Sequence, residues 1–180
     1  MNRALMKGQS GEALIELAFV ATTLVVFILG IVDFGRAIYD VEVMKNLVGE
    51  GSSMASRGTP AASAVQNVVN EAGSDIHLSS SGCVIETIIT NESGTLTITS
   101  QASICGITAS SKIGCLQGVN GCQSSTPTLP SYASTALGAE PSGSSMAVTE
   151  IYYNFSPITP ITSLLGSKSI PSQFYSVAYY

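Results

Sequence analysis

The sequence predicts an α+β protein with one long N-terminal helix, a short second helix and a small antiparallel sheet of about four strands. An apolar run of about 20 residues near the N-terminus predicts the long helix. A helical stripe over residues 61–72 predicts the second helix, and alternating segments rich in β-branched residues after residue 83 predict the strands. All four cysteines lie between residues 83 and 122, so we expect a loop tied by disulfides.

The composition of the chain bears on its binding partners and on the size of its core. The chain has 180 residues and a formal net charge of −5, which disfavours nucleic acid as a partner. Charged residues make up only 11% of the chain, and much of its hydrophobicity lies in the N-terminal third. The remainder buries only a modest core, so we expect disulfides or neighbouring proteins to support it.

A short basic leader at residues 1–11 precedes the apolar run. Its charged side chains, Arg3 and Lys7, are both positive, which predicts that this end stays cytoplasmic while the rest is translocated. The run at residues 12–32 is long enough to span a bilayer, and is about twice as long as the apolar region of a cleaved signal peptide. The predicted membrane-spanning residues include Ala13, Leu14, Phe19, Leu24, Phe27 and Ile31.

Glu16 is a carboxylate inside this apolar helix. At the centre of a bilayer such a charge costs roughly 2.5–3.5 kcal/mol, so it usually has a partner. If the chain is cut between Gly11 and Glu12, the new α-amine of Glu12 is a cation close to Glu16 in the same molecule or in a neighbour. Pairing the two groups would relieve the burial cost in a packed bundle of helices.

Beyond residue 32 the same helix continues with a more polar sequence to about residue 57. A narrow stripe of mostly small or aliphatic residues runs along one side of it. The stripe consists of Ala37, Val41, Met44, Val48, Gly51 and Ala55. Two partners remain open for it, another helix or the domain of the chain itself.

Residues 8–57 resemble the TadE-like pseudopilins of the Tad/Flp branch of type IV pilus systems. The resemblance is carried by the basic leader, by Gly11 with Glu16 five residues further on, and by the segment GIVDFGRA at residues 30–37. Residues 145–180 support it more weakly. Leu17 departs from the family pattern, because an aromatic residue usually follows the glutamate.

The resemblance implies a pilin-like precursor that prepilin peptidase cuts after Gly11. The mature protein would be a minor pilin or pseudopilin that acts in filament assembly, initiation or at the tip. Its partners would be the peptidase, other pilins and the inner-membrane Tad assembly platform. It would cross the bacterial inner membrane once, with the C-terminal domain in the periplasm or outside the cell in the pilus. The alternative is an uncleaved, signal-anchored periplasmic or surface module for binding or adhesion.

We predict three parts in the chain. They are a leader at residues 1–11, a membrane and stalk helix at residues 12–57, and an exported α+β domain at residues 58–180. The second helix ends at Gly73. Residues 83–90 and 95–100 predict a hairpin whose turn has Gly94 at a positive φ.

The strand pattern is interrupted after the hairpin and returns near the C-terminus. We predict an irregular excursion over residues 104–139, because Ser, Gly, Thr and Pro dominate there. Two further strands are predicted at residues 145–155 and 174–180, and one helical turn at residues 162–166.

The four cysteines allow three pairings. We favour Cys83 with Cys105, across the hairpin, and Cys115 with Cys122, around a glycine-rich loop. Free thiols remain the alternative.

No enzymatic activity is expected. The sequence has no G-x-S-x-G elbow, no phosphate-binding loop and no cluster of His and Cys ligands, and His77 is its only histidine. We therefore expect no metal and no cofactor.

Overall fold

The computed structural model describes residues 6–73, 76–117, 124–159 and 171–180, with side chains from residue 11 onwards. The predicted α+β class, with its long first helix, short helices and four-stranded antiparallel sheet, is confirmed. The helical turn predicted at residues 162–166 lies outside the described residues. The elements are α1 (Met6–Ser56), α2 (Ala61–Ala72), α3 (Leu78–Ser81), β1 (Gly82–Glu92), β2 (Thr95–Cys105), α4 (Ser131–Ala139), β3 (Ser145–Asn154) and β4 (Gln173–Tyr179).

The chain forms two compact units. The first consists of Met1–Ile38 with Ser156–Ile170, and the second of Tyr39–Phe155 with Pro171–Tyr180. Helix α1 contributes residues to both units. Each unit is described by itself below.

Helix α1 is 51 residues long, which corresponds to about 77 Å at 1.5 Å per residue. It begins within the predicted leader, at Met6. It ends before Gly58, which has a φ of +95° that L-residues rarely adopt. The Gly58 N–H donates to the Ala55 carbonyl at 3.0 Å and closes the last turn.

The sheet has the strand order β2-β1-β3-β4, and every neighbouring pair is antiparallel. Strands β1 and β2 are longer than the pattern predicted. They are joined by a tight turn in which Ser93 and Gly94 both have positive φ, as predicted for Gly94. The Asn91 side chain accepts a hydrogen bond from the Gly94 N–H at 2.8 Å and stabilises the turn.

The two central strands, β1 and β3, are buried on both faces. On one face Ala147 packs in a cluster with Ala55 of α1 and Ala64 of α2. On the other face a second cluster covers the sheet, and α4 contributes to it. This cluster consists of Ile89, Ile98, Ile113, Leu137 and Val148.

Helix α4 corrects the prediction that residues 104–139 are irregular throughout. The segment Ser131–Ala139 is helical, and Ala133 and Leu137 are its buried residues. These two positions are four residues apart, so they share a face. Two buried positions in a nine-residue stretch rich in Ser and Ala are too few to show a helical period, so the sequence pattern does not reveal this helix.

The sequence left two partners open for the stripe on α1, another helix or the domain of the chain itself. The second half of the stripe packs on the chain's own domain. Met44, Val48, Gly51 and Ala55 are all buried within the second unit. The small residues in the stripe therefore serve close packing of the helix on the sheet.

The predicted disulfide between Cys83 and Cys105 is present. The two residues are directly opposite each other in the register of β1 and β2, so the bond closes the open end of the hairpin. Cys115 is also disulfide-bonded. Its predicted partner, Cys122, lies outside the described residues, so that pairing stays a prediction.

Candidate functional site: the apolar helix and its membrane boundary

The N-terminal half of α1 presents its apolar side chains to the outside. One 18-residue window has a mean hydropathy of 2.5, and none of it is buried by the described chain. By length and composition the helix is able to cross a membrane. The exposed side chains include the predicted residues Leu14, Phe19, Leu24, Phe27 and Ile31, and Ala13 is exposed as well. Such a surface requires lipid or another protein to cover it.

The two threonine hydroxyls of this segment are satisfied within the helix. The Thr22 hydroxyl donates to the Ala18 carbonyl at 2.8 Å, and the Thr23 hydroxyl donates to the Phe19 carbonyl at 2.8 Å. Both bonds return to the preceding turn, so neither hydroxyl needs water. This is the arrangement that a helix in lipid requires.

The predicted processing and assembly residues lie on the exposed part of α1. Gly11, Glu12 and Glu16 are all helical and exposed. Glu12 and Glu16 are four residues apart, so they lie on the same side of the helix, one turn apart. Within the described part of the chain, Glu16 makes neither a hydrogen bond nor an ion pair.

Asp33 follows the apolar run and is fully buried. Its carboxylate accepts hydrogen bonds from the Ile158 N–H at 3.1 Å and from the Thr159 N–H at 3.3 Å. The Thr159 hydroxyl also donates to it. Both carboxylate oxygens are therefore held by one short segment that follows β3, here called the connector (residues 156–159).

Arg36 binds the same connector. Its guanidinium Nη1 donates to the Ser156 carbonyl at 3.5 Å. Asp33 and Arg36 are the two charged residues of the segment GIVDFGRA, and both bind the connector within the first unit. Sequence reasoning placed these charges at the end of the apolar run but missed their partners, because those lie more than 100 residues further along the chain.

We expect Asp33→Ala to release the connector. Without the carboxylate, the N–H groups of Ile158 and Thr159 lose their acceptor, so their exchange with solvent should quicken on the order of tenfold or more. Hydrogen-exchange mass spectrometry of the full chain in detergent measures this. Glu42→Ala, on the exposed side of the same helix, is the control. Unchanged exchange in the Asp33 variant would contradict the tether.

A second buried carboxylate, Glu150 on β3, holds the loop that follows β2. It is fully buried and accepts hydrogen bonds from the Ser111 hydroxyl and from the Lys112 N–H, the latter at 2.9 Å. The Tyr175 hydroxyl donates to it at 3.0 Å, and the Tyr152 hydroxyl lies 3.2 Å away. The contacts with Ser111 and Lys112 fasten the loop to the sheet, and those with Tyr152 and Tyr175 lie within the sheet itself, so the site is structural.

The two tyrosines are fixed as donors. Burial, and then the neighbouring Glu150 carboxylate, raise the pKa of Tyr152 and of Tyr175 well above the usual value. The Lys112 ammonium lies 3.6 Å from the centre of the Tyr175 ring, a cation–π contact that adds to the same fastening.

A third buried carboxylate, Glu86 on β1, is less well satisfied. One of its oxygens accepts a hydrogen bond from the Thr149 hydroxyl on the neighbouring strand. The other has no hydrogen-bond partner among the described residues. Burial raises the pKa of Glu86 to about 7, although the bond from Thr149 opposes the shift.

Among the described residues, no group of three or more His, Cys, Asp and Glu side chains is placed to hold a metal ion. His77 is exposed at the start of α3. The two carboxylates that are best held, Asp33 and Glu150, have their oxygens occupied by donors of the chain itself.

These features define a class of protein. It is a small α+β protein with a disulfide-tied hairpin, whose N-terminal helix is long and apolar enough to anchor it in a membrane.

Residues 11–53 match the family model of TadE-like proteins. The match confirms the resemblance inferred from the sequence, and it lies entirely within α1. It associates the chain with the Tad pilus system in general. No curated protein and no solved structure gives a significant match.

Proposed function

We propose that this chain is a minor pilin or pseudopilin of a Tad-type pilus. It is made as a precursor, cut by prepilin peptidase after Gly11, and then acts without enzymatic activity in assembly, initiation or the tip of the filament. Its partners are other pilins and the inner-membrane assembly platform.

One observation carries the proposal. The TadE-like match begins at Gly11, the residue after which the cut is expected, and the helix beyond it exposes its apolar side chains. An anchor that only spans lipid needs apolar length alone. The carboxylate of Glu16, one turn from the expected new N-terminus, costs free energy in lipid, and lipid offers no group that offsets this cost.

The mechanism follows from that cost. While the leader is attached, Arg3 and Lys7 hold the N-terminus in the cytoplasm and α1 lies in the membrane. Cleavage frees the α-amine of Glu12, and this cation pairs with Glu16 in the same chain or in the neighbour against which the helix packs. The pair neutralises both charges inside the helical bundle of the filament.

The size of the exported part favours a minor component. The major pilins of this branch consist of little beyond the helix, whereas here a folded domain with four strands follows α1. We infer that the chain is incorporated in few copies, in the inner membrane and at one end of the filament.

The first test is the N-terminus of the mature protein. Sequencing protein purified from cells with the peptidase should give a chain that starts at Glu12, and cells without the peptidase should retain the leader. An N-terminus elsewhere, unaffected by loss of the peptidase, would overturn the proposal in favour of an uncleaved membrane-anchored binding module.

We expect Glu16→Gln to reduce assembly on the order of tenfold or more, because the new α-amine then has no counter-charge in the packed bundle. Filament recovery from cells, normalised to the amount of mature protein, measures the effect. Glu42→Gln removes one carboxylate from the exposed side of the same helix and serves as the control. Equal recovery for the two variants would show that Glu16 has no part in assembly.

A further inference from the structure

The connector (residues 156–159) lies against α1 at the level of Asp33. The N–H groups of Ile158 and Thr159 donate to the Asp33 carboxylate at 3.1 Å and 3.3 Å, and all three residues belong to the first unit. Asp33 directly follows the apolar run. A segment from more than 100 residues further along the chain is therefore fixed beside the end of that run.

The apolar run matches the thickness of a bilayer. The 20 residues from Ala13 to Val32 rise about 30 Å at 1.5 Å per residue, and the hydrocarbon core of a bilayer is about 30 Å thick. The layer of lipid headgroups adds about 5–7 Å on each side. When α1 spans a membrane, Asp33 and the connector bound to it fall in this layer, immediately outside the hydrocarbon.

Ile158 presents an apolar side chain at this level. It is 70% exposed, almost as much as Ile31 at 71%, one of the last residues of the apolar run. A single exposed isoleucine on a loop in water would need no explanation. Ile158 differs because its own N–H is bonded to Asp33, so the side chain is held level with the end of the surface that lipid covers.

The backbone of the connector is suited to contact with lipid. Acyl chains offer no hydrogen-bond partner, so a non-helical segment approaches them only where its polar groups are bonded within the protein. Pro157 has no N–H, and the N–H groups of Ile158 and Thr159 are bonded to Asp33, as is the Thr159 hydroxyl. None of the four connector residues is charged. The Asp33 carboxylate thus removes from lipid the donors that lipid would leave unsatisfied.

We propose that the connector is a second membrane contact, with the Ile158 side chain inserted among the acyl chains at the surface where α1 leaves the bilayer. The partner is the lipid itself, because the headgroup layer surrounds α1 at the level where Asp33 holds the connector. The proposal rests on the anchoring of α1 in a membrane, which is part of the proposed function. A contact on one side of the helix restricts its rotation and tilt. It therefore determines which side of α1 faces lipid and which side is open to a neighbour.

The chain contains no tryptophan, so one introduced tryptophan reports on a single position. Ile158→Trp, Phe27→Trp and Asn46→Trp are each made in the full chain. Each is reconstituted into phosphatidylcholine vesicles brominated on the upper part of the acyl chains. Phe27 lies in the apolar run and is the positive control. Asn46, exposed on the same helix about 20 Å beyond Asp33, is the negative control.

Brominated lipid should quench the fluorescence of Ile158→Trp several-fold more strongly than that of Asn46→Trp, and soluble iodide should show the opposite order. If Phe27→Trp is quenched by the lipid but Ile158→Trp is quenched no more than Asn46→Trp, the second contact is overturned while the anchor stands. A lack of quenching at Phe27→Trp would contradict the anchor itself, and both the second contact and the proposed function would fail with it.

A second measurement tests the role of Asp33. Adding Asp33→Ala to the Ile158→Trp chain should weaken quenching by brominated lipid several-fold and strengthen quenching by iodide, because the connector loses its acceptor. Glu42→Ala in the same chain is the control, since Glu42 is exposed on α1. Circular dichroism checks that both chains keep their helix. Equal quenching in the two chains would show that Asp33 does not hold the connector at the membrane, which would overturn the proposal.

Discussion

Replacing Glu86 by Gln should raise the free energy of unfolding by about 3 kcal/mol at about pH 8. The carboxyl group is fully buried, and burial outweighs the opposing effect of the hydrogen bond from Thr149, so the folded protein binds its proton more tightly than the unfolded chain does. At high pH the folded state must either keep an ionised carboxylate in the interior or unfold. An uncharged amide of the same shape avoids that cost.

The sign follows from proton linkage. The pKa of Glu86 is raised from 4.5 to about 7 on folding, so between those values the unfolded state binds fewer protons than the folded state. The stability contributed by this group is complete below pH 4.5, falls as the pH rises, and is lost above about pH 7. A difference of about 2.5 pKa units corresponds to about 3 kcal/mol.

Denaturant unfolding of the full chain in detergent, at several values from about pH 4 to about pH 8, measures the effect. The Glu86→Gln variant should lack most of the decline in stability that the unaltered chain shows. Glu92→Gln, at the exposed end of the same strand, is the matched control and should keep the decline. The same pH dependence in the Glu86 variant as in the control would show that the interior accommodates the charge.

The second large effect is expected at Gly51, where α1 lies close against Thr149 of the sheet. A Cβ at this position would lie 2.8 Å from the Thr149 hydroxyl and 2.8 Å from a methyl group of Val68. Both neighbours are buried, so neither yields easily. Gly51→Ala should therefore lower the free energy of unfolding by about 1–3 kcal/mol, even though alanine is the better helix former.

Gly49 provides the matched control, because it lies in the same helix and a Cβ there would meet nothing within 4 Å. Gly49→Ala should stabilise the protein by about 0.5–1 kcal/mol through helix propensity alone. The two alanine variants should thus move the denaturation midpoint in opposite directions. Movement in the same direction would mean that Gly51 is not pressed against the sheet.

The two effects share one hydroxyl. The Thr149 oxygen that a Cβ at Gly51 would meet is the oxygen that donates to Glu86. Displacing it weakens the hydrogen bond that the buried carboxyl accepts from Thr149. The packing of α1 on the sheet and the protonation of the sheet interior are therefore linked at this point.

Much of the fold could be predicted because its signals are local. The apolar run of α1, the stripe of α2 and the alternation in the hairpin each report a burial pattern over neighbouring residues. The disulfide between Cys83 and Cys105 follows from the hairpin register. Helix α4 was missed because its two buried anchors are too few to form a pattern.

In the candidate site, too, local features could be predicted from the sequence and long-range contacts could not. The apolar run, Glu16 and the TadE-like segment could be found from the sequence, since each is a contiguous motif. The tether of Asp33 could not, because Thr159 lies 126 residues away.

The sequence by itself therefore determined the two longest helices and the four strands, which surface is apolar, and which family α1 resembles, but it did not reveal the short helices α3 and α4. Only the tertiary structure decided what each buried polar group contacts. It paired Glu86 with Thr149, fastened Glu150 to Tyr175, and pressed Gly51 against the sheet. The physical reason is that periodicity shows which side of an element is covered, whereas the identity of the covering atoms depends on strand order and helix placement across the whole chain.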